Sequence, residues 1–107
     1  MKPKLSVLLI EDDPNVRLGC EQAMQLAGIP VIAVGSAEEG QRQLAADFAG
    51  IVVSDMRLPG MDGMALLRWV NQLTPDLPVI IITGHGDVTL AVEAMRSGAY
   101  DFMQKPF

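Results

Sequence analysis

The sequence is poor in cysteine, in aromatic side chains and in positive charge. Cys20 is the only cysteine among 107 residues, so no internal disulfide can form, which is typical of a reducing compartment. Lys and Arg number 8 against 13 Asp and Glu, and the net charge of −5 argues against gripping nucleic acid by electrostatics alone. No apolar run approaches the ~20 residues of a membrane span, and no secretory signal opens the chain. We expect a cytoplasmic domain without a direct nucleic-acid or membrane partner.

What the sequence does contain is an alternation of apolar strands and amphipathic helices. Half of the residues are hydrophobic, and this length suits one compact domain. Short apolar runs predict strands at residues 5–10, 31–34, 51–54, 79–82 and 100–103. Helical spacing separates the runs, which predicts an α/β fold with a parallel sheet and helices on both faces.

Several residues mark where these helices begin and which side chains they bury. Asp13 before a proline, Asp87, and Ser36 with Glu39 three positions later are typical of helix N-termini. Two helices are predicted to turn particular side chains inward: Val16, Cys20, Ala23, Met24 and Ala27 in the first, and Val88, Ala91, Val92 and Met95 in the fourth.

Polar residues follow the carboxyl ends of four predicted strands. Glu11 and Asp12 follow the first, Asp55 the third, Thr83 the fourth and Lys105 the fifth. Each residue alone has an ordinary explanation, such as a strand end or a surface charge. In an open parallel sheet, however, sites form at this edge, and we expect these side chains to meet there.

The residue types define a chemistry. Crowded carboxylates repel one another, and a divalent cation with a preference for oxygen ligands, Mg²⁺, would relieve that repulsion. A carboxylate nucleophile beside Mg²⁺, a hydroxyl and a lysine would form a phosphoryl-acceptor site. The sequence therefore predicts Asp55 as the acceptor.

Four stretches resemble the receiver domain of two-component response regulators: LLIEDD, IVVSDMRLPGMDG, VIIITGHGD and GAYDFMQKPF. The resemblance covers the whole chain in the right order. It implies a flavodoxin-like (βα)5 fold with strand order 2-1-3-4-5. It also implies a regulatory phosphoacceptor that takes its phosphoryl group from a sensor histidine kinase and catalyses only its own phosphorylation and dephosphorylation.

Site roles follow from the same resemblance. Asp55 accepts the phosphoryl group, and Mg²⁺ is bound by Asp12, by Glu11 through water, by Asp55 and by the backbone carbonyl of Arg57. Thr83 and Lys105 contact the phosphoryl oxygens, and Phe102 occupies the switch position. On phosphorylation, we expect Thr83 to move toward the phosphoryl group, Phe102 to swing inward, and the face of the fourth helix to change.

Within this family, TGHGDVTLAVEAMRSGAYDF resembles regulators with a central ATPase domain and a DNA-binding helix-turn-helix that act with the alternative nitrogen-type sigma factor. ADFAGIVVSD resembles regulators of C4-dicarboxylate transport. Nitrogen-fixation regulators with a different output share TGHGD and AVEAM, so that alternative stays open. Because the chain ends just after the fifth strand, we expect residues 1–107 to be the N-terminal receiver of a longer regulator that forms homodimers.

The sequence departs from the family pattern at three points. Glu11 replaces a more frequent Asp, Phe102 lacks the hydroxyl of a switch tyrosine, and the fifth helix is missing.

Three rival functions are less well supported. A haloacid-dehalogenase-type phosphatase would need an acid where Arg57 stands, a degenerate receiver would lack one of Asp55, Thr83 and Lys105, and a nucleotide binder would need a phosphate loop after the first strand. His85 is expected to face solvent.

Overall fold

The structure is a computed structural model, and it describes residues 5–44, 48–84 and 87–104. The strands are β1 Ser6–Ile10, β2 Val31–Val34, β3 Gly50–Asp55, β4 Val79–Thr83 and β5 Asp101–Gln104. The helices are α1 Pro14–Leu26, α2 Ala37–Leu44, α3 Gly63–Leu73 and α4 Val88–Arg96. Strands and helices therefore alternate as the sequence predicts.

All five strands are parallel and lie in the order β2-β1-β3-β4-β5. The predicted flavodoxin-like topology is confirmed. Strand boundaries differ slightly from the prediction. Asp55 is the last residue of β3 rather than the first after it, because it pairs with Ile82, whose carbonyl accepts from Met56 N–H at 2.8 Å.

The main core lies on the sheet face that carries α2, α3 and α4. Its fully buried side chains include Leu8 and Ile10 from β1, Val52 from β3, and Leu66 and Leu67 from α3. Because side chains alternate along a strand, the neighbouring Leu9, Val53 and Ile82 point to the opposite face, where they pack with Cys20 of α1. Helices therefore lie on both faces of the sheet.

The side chains predicted to face inward from α1 are less buried than expected. None of the α1 residues is buried: Val16 and Ala23 are exposed, and Cys20 and Met24 are only half-buried. Ala27 lies just past the helix as its C-cap, and it too is exposed. The buried cluster beneath α1 contains only Leu9, Val53 and Ile82 among the described residues, so α1 covers its face of the sheet incompletely.

The predicted inward face of α4 is also only partly right. Ala91 is buried as expected, together with Ala94, but Val88, Val92 and Met95 are exposed. The reason is steric, since small side chains three positions apart let the helix lie close to β4 while larger ones stay outside.

Three helix starts use polar caps in different ways. The Asp13 carboxylate accepts from the backbone N–H of Asn15 at 2.9 Å, as predicted. The Ser36 hydroxyl accepts from Glu39 N–H at 3.1 Å, but the Glu39 carboxylate accepts from Gly35 N–H and not from Ser36, so only half of the predicted capping box forms. Asp87 is the N-cap residue of α4, as predicted, but its side chain makes no capping bond.

Candidate functional site

Three carboxylates meet at the carboxyl edge of the sheet, as the sequence predicts. One oxygen each from Glu11, Asp12 and Asp55 lies within 4.8 Å of the others. The register explains the meeting, because Ile10 at the end of β1 pairs with Ser54, the neighbour of Asp55. Glu11 and Asp55 are buried, whereas Asp12 is exposed. The cluster is therefore accessible to solvent at Asp12.

Glu11 is fixed by its surroundings through both backbone and side chain. Its N–H donates to Val34 O at 3.1 Å, and its carbonyl accepts from the Arg17 guanidinium at 2.9 Å. Its carboxylate accepts from Asp13 N–H at 3.1 Å. The first carboxylate thus has a defined position before any ligand arrives.

Asp55 is held by the strand behind it and by the start of α3. A Cβ added at Gly63 would lie 2.4 Å from the Asp55 carbonyl oxygen and 2.9 Å from Met56 Cα. Gly63 N–H donates to Met56 O at 2.9 Å, which closes the intervening loop. Only glycine permits this approach of α3 to the strand end. The Asp55 carboxylate accepts from Arg57 N–H at 3.4 Å.

The loop between β3 and α3 has further supports. Met61 N–H donates to the Glu38 carboxylate of α2 at 3.3 Å, and Gly60 has a φ of +75° that favours glycine. Asp62 caps α3 by accepting from Ala65 N–H at 2.8 Å.

Thr83 lies beside the cluster but bonds away from it. It follows Ile82, the partner of Asp55 in the sheet, and it is fully buried. Its hydroxyl donates to the Met103 carbonyl of β5 at 3.4 Å, next to Phe102. Phe102 is 39% exposed and pairs with Ile81. The hydroxyl therefore links the site edge to the outer strand.

Two sequence predictions fall outside the part of the chain that is described. Lys105 follows the last described residue of β5, and His85 lies between the described ranges. The roles predicted for these two residues stay predictions.

Sequence reasoning missed an ion pair at the rim of this site. The Arg57 guanidinium donates twice to the Asp87 carboxylate, from Nη2 at 3.1 Å and from Nε at 3.3 Å. No local pattern signals this contact, since the partners are thirty residues apart in the chain. The hydrogen bond with Asp87 raises the pKa of Arg57, and the hydrogen bond with Arg57 lowers the pKa of Asp87, while desolvation opposes both shifts.

The donor set fits a hard divalent cation. Three carboxylates offer oxygen ligands within one small region, and burying two of them concentrates negative charge that a cation would offset. Oxygen donors without sulfur or imidazole favour Mg²⁺ or a similar ion. A cleft of about 550 Å³ adjoins the cluster and is lined by Asp12, Arg57 and the apolar Leu58, Met64 and Leu90, among others.

Comparison with known proteins identifies the class. Residues 7–107 match the response regulator receiver domain family, and the chain belongs to that family. It is therefore a regulatory receiver domain of a two-component system. The resemblance to receiver domains and the predicted fold are both confirmed.

Within the family, the chain is similar to transcriptional regulatory proteins. The chain is 55% identical over 102 residues to the C4-dicarboxylate transport transcriptional regulatory protein DctD of Rhizobium meliloti, with 95% of this chain and 22% of that protein covered. It is 41% identical to the DNA-binding transcriptional regulator NtrC of Escherichia coli, over 94% of this chain and 22% of that protein. The chain thus spans about a fifth of the length of these relatives.

A solved structure has the same fold as this chain. The crystal structure of FixJ-N superimposes on this chain with a TM-score of 0.90 at 39% identity, covering 99% of this chain and 85% of that chain. Among the described residues, no helix is long and apolar enough to cross a membrane.

Proposed function

We propose that the chain is a phosphoacceptor whose Asp55 receives a phosphoryl group from a sensor histidine kinase. The observation that carries the proposal is the buried Asp55 carboxylate at the end of β3, within 4.8 Å of the Glu11 and Asp12 carboxylates. Burial and the Gly63 contact fix the nucleophile, and the open side at Asp12 leaves room for a phosphodonor.

Mg²⁺ would be held by Asp55, Asp12, Glu11 through water and the Arg57 carbonyl, and when bound it would stabilise charge on the transferred group. An Asp55 oxygen forms the new bond to phosphorus as the phosphorus–nitrogen bond of the phosphohistidine breaks. The electron pair stays on the imidazole nitrogen. Thr83 donates its hydroxyl to a phosphoryl oxygen, and Lys105 supplies a positive charge.

The switch follows from the Thr83 contact. To reach a phosphoryl group, its hydroxyl must leave the Met103 carbonyl, which removes a bond between β4 and β5 beside Phe102. Phe102 then turns inward by packing alone, and the exposed face of α4 changes with it. The accompanying shift is between two packings of one fold.

The output proposal rests on the relatives. Similarity to DctD and NtrC supports a longer, cytoplasmic transcriptional regulator with an ATPase domain and a helix-turn-helix that acts with the nitrogen-type sigma factor. In this reading residues 1–107 are its N-terminal receiver, and the full-length protein forms a homodimer. The higher identity to DctD favours control of C4-dicarboxylate transport.

The test is intact mass after incubation with Mg²⁺ and a small acyl-phosphate donor. We expect a single phosphoryl adduct that requires Mg²⁺ and disappears in Asp55→Asn. Asp62→Asn is the matched control, because it makes the same chemical change in the adjoining loop while keeping a side chain that can cap α3. An adduct that persists in Asp55→Asn would contradict the proposal.

A further inference from the structure

The N-terminus of α4 differs from the other aspartate-led helices. Asp13 and Asp62 have extended backbones, with ψ of 115° and 175°, and each carboxylate accepts from first-turn amides. Asp87 has the same residue type and the same position, but its ψ is 43° and its carboxylate caps nothing. A side chain well suited to capping is thus engaged elsewhere.

The competing partner is Arg57. Both nitrogens of its guanidinium edge contact the Asp87 carboxylate, at 3.1 and 3.3 Å. This is the one ion pair that joins two residues of the described ranges 5–44, 48–84 and 87–104. It connects the loop that follows Asp55 to the N-cap residue of α4.

Arg57 is also within electrostatic reach of the acceptor. Its backbone N–H donates to the Asp55 carboxylate at 3.4 Å, and the Asp55 charge contributes to the raised pKa of Arg57. Phosphorylation replaces this carboxylate charge by a group that carries ~−1.5 to −2 charges and three strong acceptor oxygens. Arginine matches such a group with two parallel hydrogen bonds.

We propose that Asp87 exchanges between two partners, the Arg57 guanidinium before phosphorylation and the first-turn amides of α4 after it. The pair couples Asp55 to α4, and this inference rests on the proposed function. When the phosphoryl group draws Arg57 toward Asp55, the Asp87 carboxylate is released. Its backbone extends, and the side chain caps the N–H groups of Thr89 or Leu90, as Asp13 and Asp62 do for their helices.

The exchange predicts that breaking the ion pair while a capping side chain remains orders the start of α4, and that removing the capping side chain does not. Arg57→Gln frees Asp87, so the first turn of α4 should become more ordered without phosphorylation. Asp87→Asn keeps a capping side chain but loses the charge that attracts Arg57, so the first turn of α4 should again become more ordered. Asp87→Ala loses both contacts, and the first turn should stay uncapped with and without phosphorylation. A merely structural ion pair would instead loosen α4 in all three variants.

The experiment measures amide hydrogen exchange and chemical shifts of Thr89 and Leu90 in this chain, with intact mass recorded on each sample. We expect phosphorylation to slow their exchange about fivefold in the wild type, the factor that a typical side-chain cap is worth. Unphosphorylated Arg57→Gln and Asp87→Asn should already exchange as slowly. Arg68→Gln, an arginine on α3, is the matched control and should behave as wild type.

Two results would overturn the exchange. One is wild-type or faster exchange at both amides in Arg57→Gln, and the other is equal slowing by phosphorylation in Asp87→Ala. If mass shows no adduct on the wild type, the proposed function fails, and phosphorylation no longer drives the exchange. The unphosphorylated Arg57→Gln and Asp87→Ala samples then still decide whether Asp87 chooses between these two partners.

Discussion

Gly63→Ala is expected to damage the acceptor site more than any other glycine-to-alanine change beside it. The new Cβ would lie 2.4 Å from the Asp55 carbonyl oxygen, where ordinary contact begins at 3.4 Å. Either α3 or the end of β3 must therefore move by about 1 Å, the difference between these distances. The obstacle is backbone, which cannot turn aside as a long side chain can.

The magnitude follows from the close packing of this region. Inserting a methyl group into a well-packed site costs about 1–3 kcal/mol of folding free energy. At a urea slope of about 2 kcal/mol/M, a loss of 2 kcal/mol lowers the unfolding midpoint by about 1 M. A shift of 1 Å at a nucleophile can slow its reaction about 100-fold. We expect both the midpoint and the rate of Asp55 phosphorylation to fall.

Gly19→Ala supplies the matched control, since it makes the same change in the interior of α1. A Cβ there would meet nothing within 4 Å. Alanine is the better helix former, so this variant should gain about 0.5–1 kcal/mol and keep its phosphorylation rate. Urea unfolding and time-resolved intact mass measure both variants. A Gly63→Ala protein as stable and as reactive as the wild type would refute the view that this contact positions Asp55.

Four other changes have expected outcomes. Leu67→Ala, at a fully buried position of α3, should cost about 2–5 kcal/mol in urea unfolding, because it leaves a cavity. Asp13→Ala should cost about 1 kcal/mol by the same assay, since its carboxylate caps α1. A carboxyl NMR titration should find the pKa of Asp87 below its ordinary 3.8, and Arg57→Gln should remove the part of that shift that comes from the guanidinium. The lowered pKa means that the ion pair contributes above about pH 4 and is lost as pH falls through the folded-state pKa. Mg²⁺ at 100 times its dissociation constant should raise stability by about 2.7 kcal/mol, and Asp12→Asn should weaken that effect in thermal unfolding.

The sheet and the acidic cluster were predictable because they depend on patterns that are local in sequence. A run such as residues 79–82 marks its own strand, and parallel order brings residues after β1 and β3 to one edge. The meeting of Glu11, Asp12 and Asp55 needed no knowledge of side-chain packing. Their positions directly after parallel strands predicted a common edge, and the family resemblance supplied the strand order that makes β1 and β3 neighbours.

Other features depend on contacts that the sequence does not display. Periodicity identified α4 but could not show that Ala91 and Ala94 face β4 while Val92 stays outside. Likewise, Asp87 carries the signature of a helix cap, and its diversion to Arg57 arises from a tertiary contact. Propensity describes what a residue can do alone, and here a neighbour distant in sequence decides between two uses.

The contacts around the site divide it into a fixed half and a half with weaker connections. On the side of β1 and β3, Glu11 is hydrogen-bonded to Val34, Arg17 and Asp13, and the absence of a side chain at Gly63 lets α3 lie against the Asp55 backbone. On the side of β4 and β5, the Thr83 hydroxyl reaches Met103 at a long 3.4 Å, and every residue of β5 is exposed. A chemical step needs the first half to hold still, whereas a signal needs some element that changes at low cost. Asp55, the proposed acceptor, lies on the half that resists displacement, and the hydrogen bond from Thr83 to Met103 that phosphorylation would break lies on the other half.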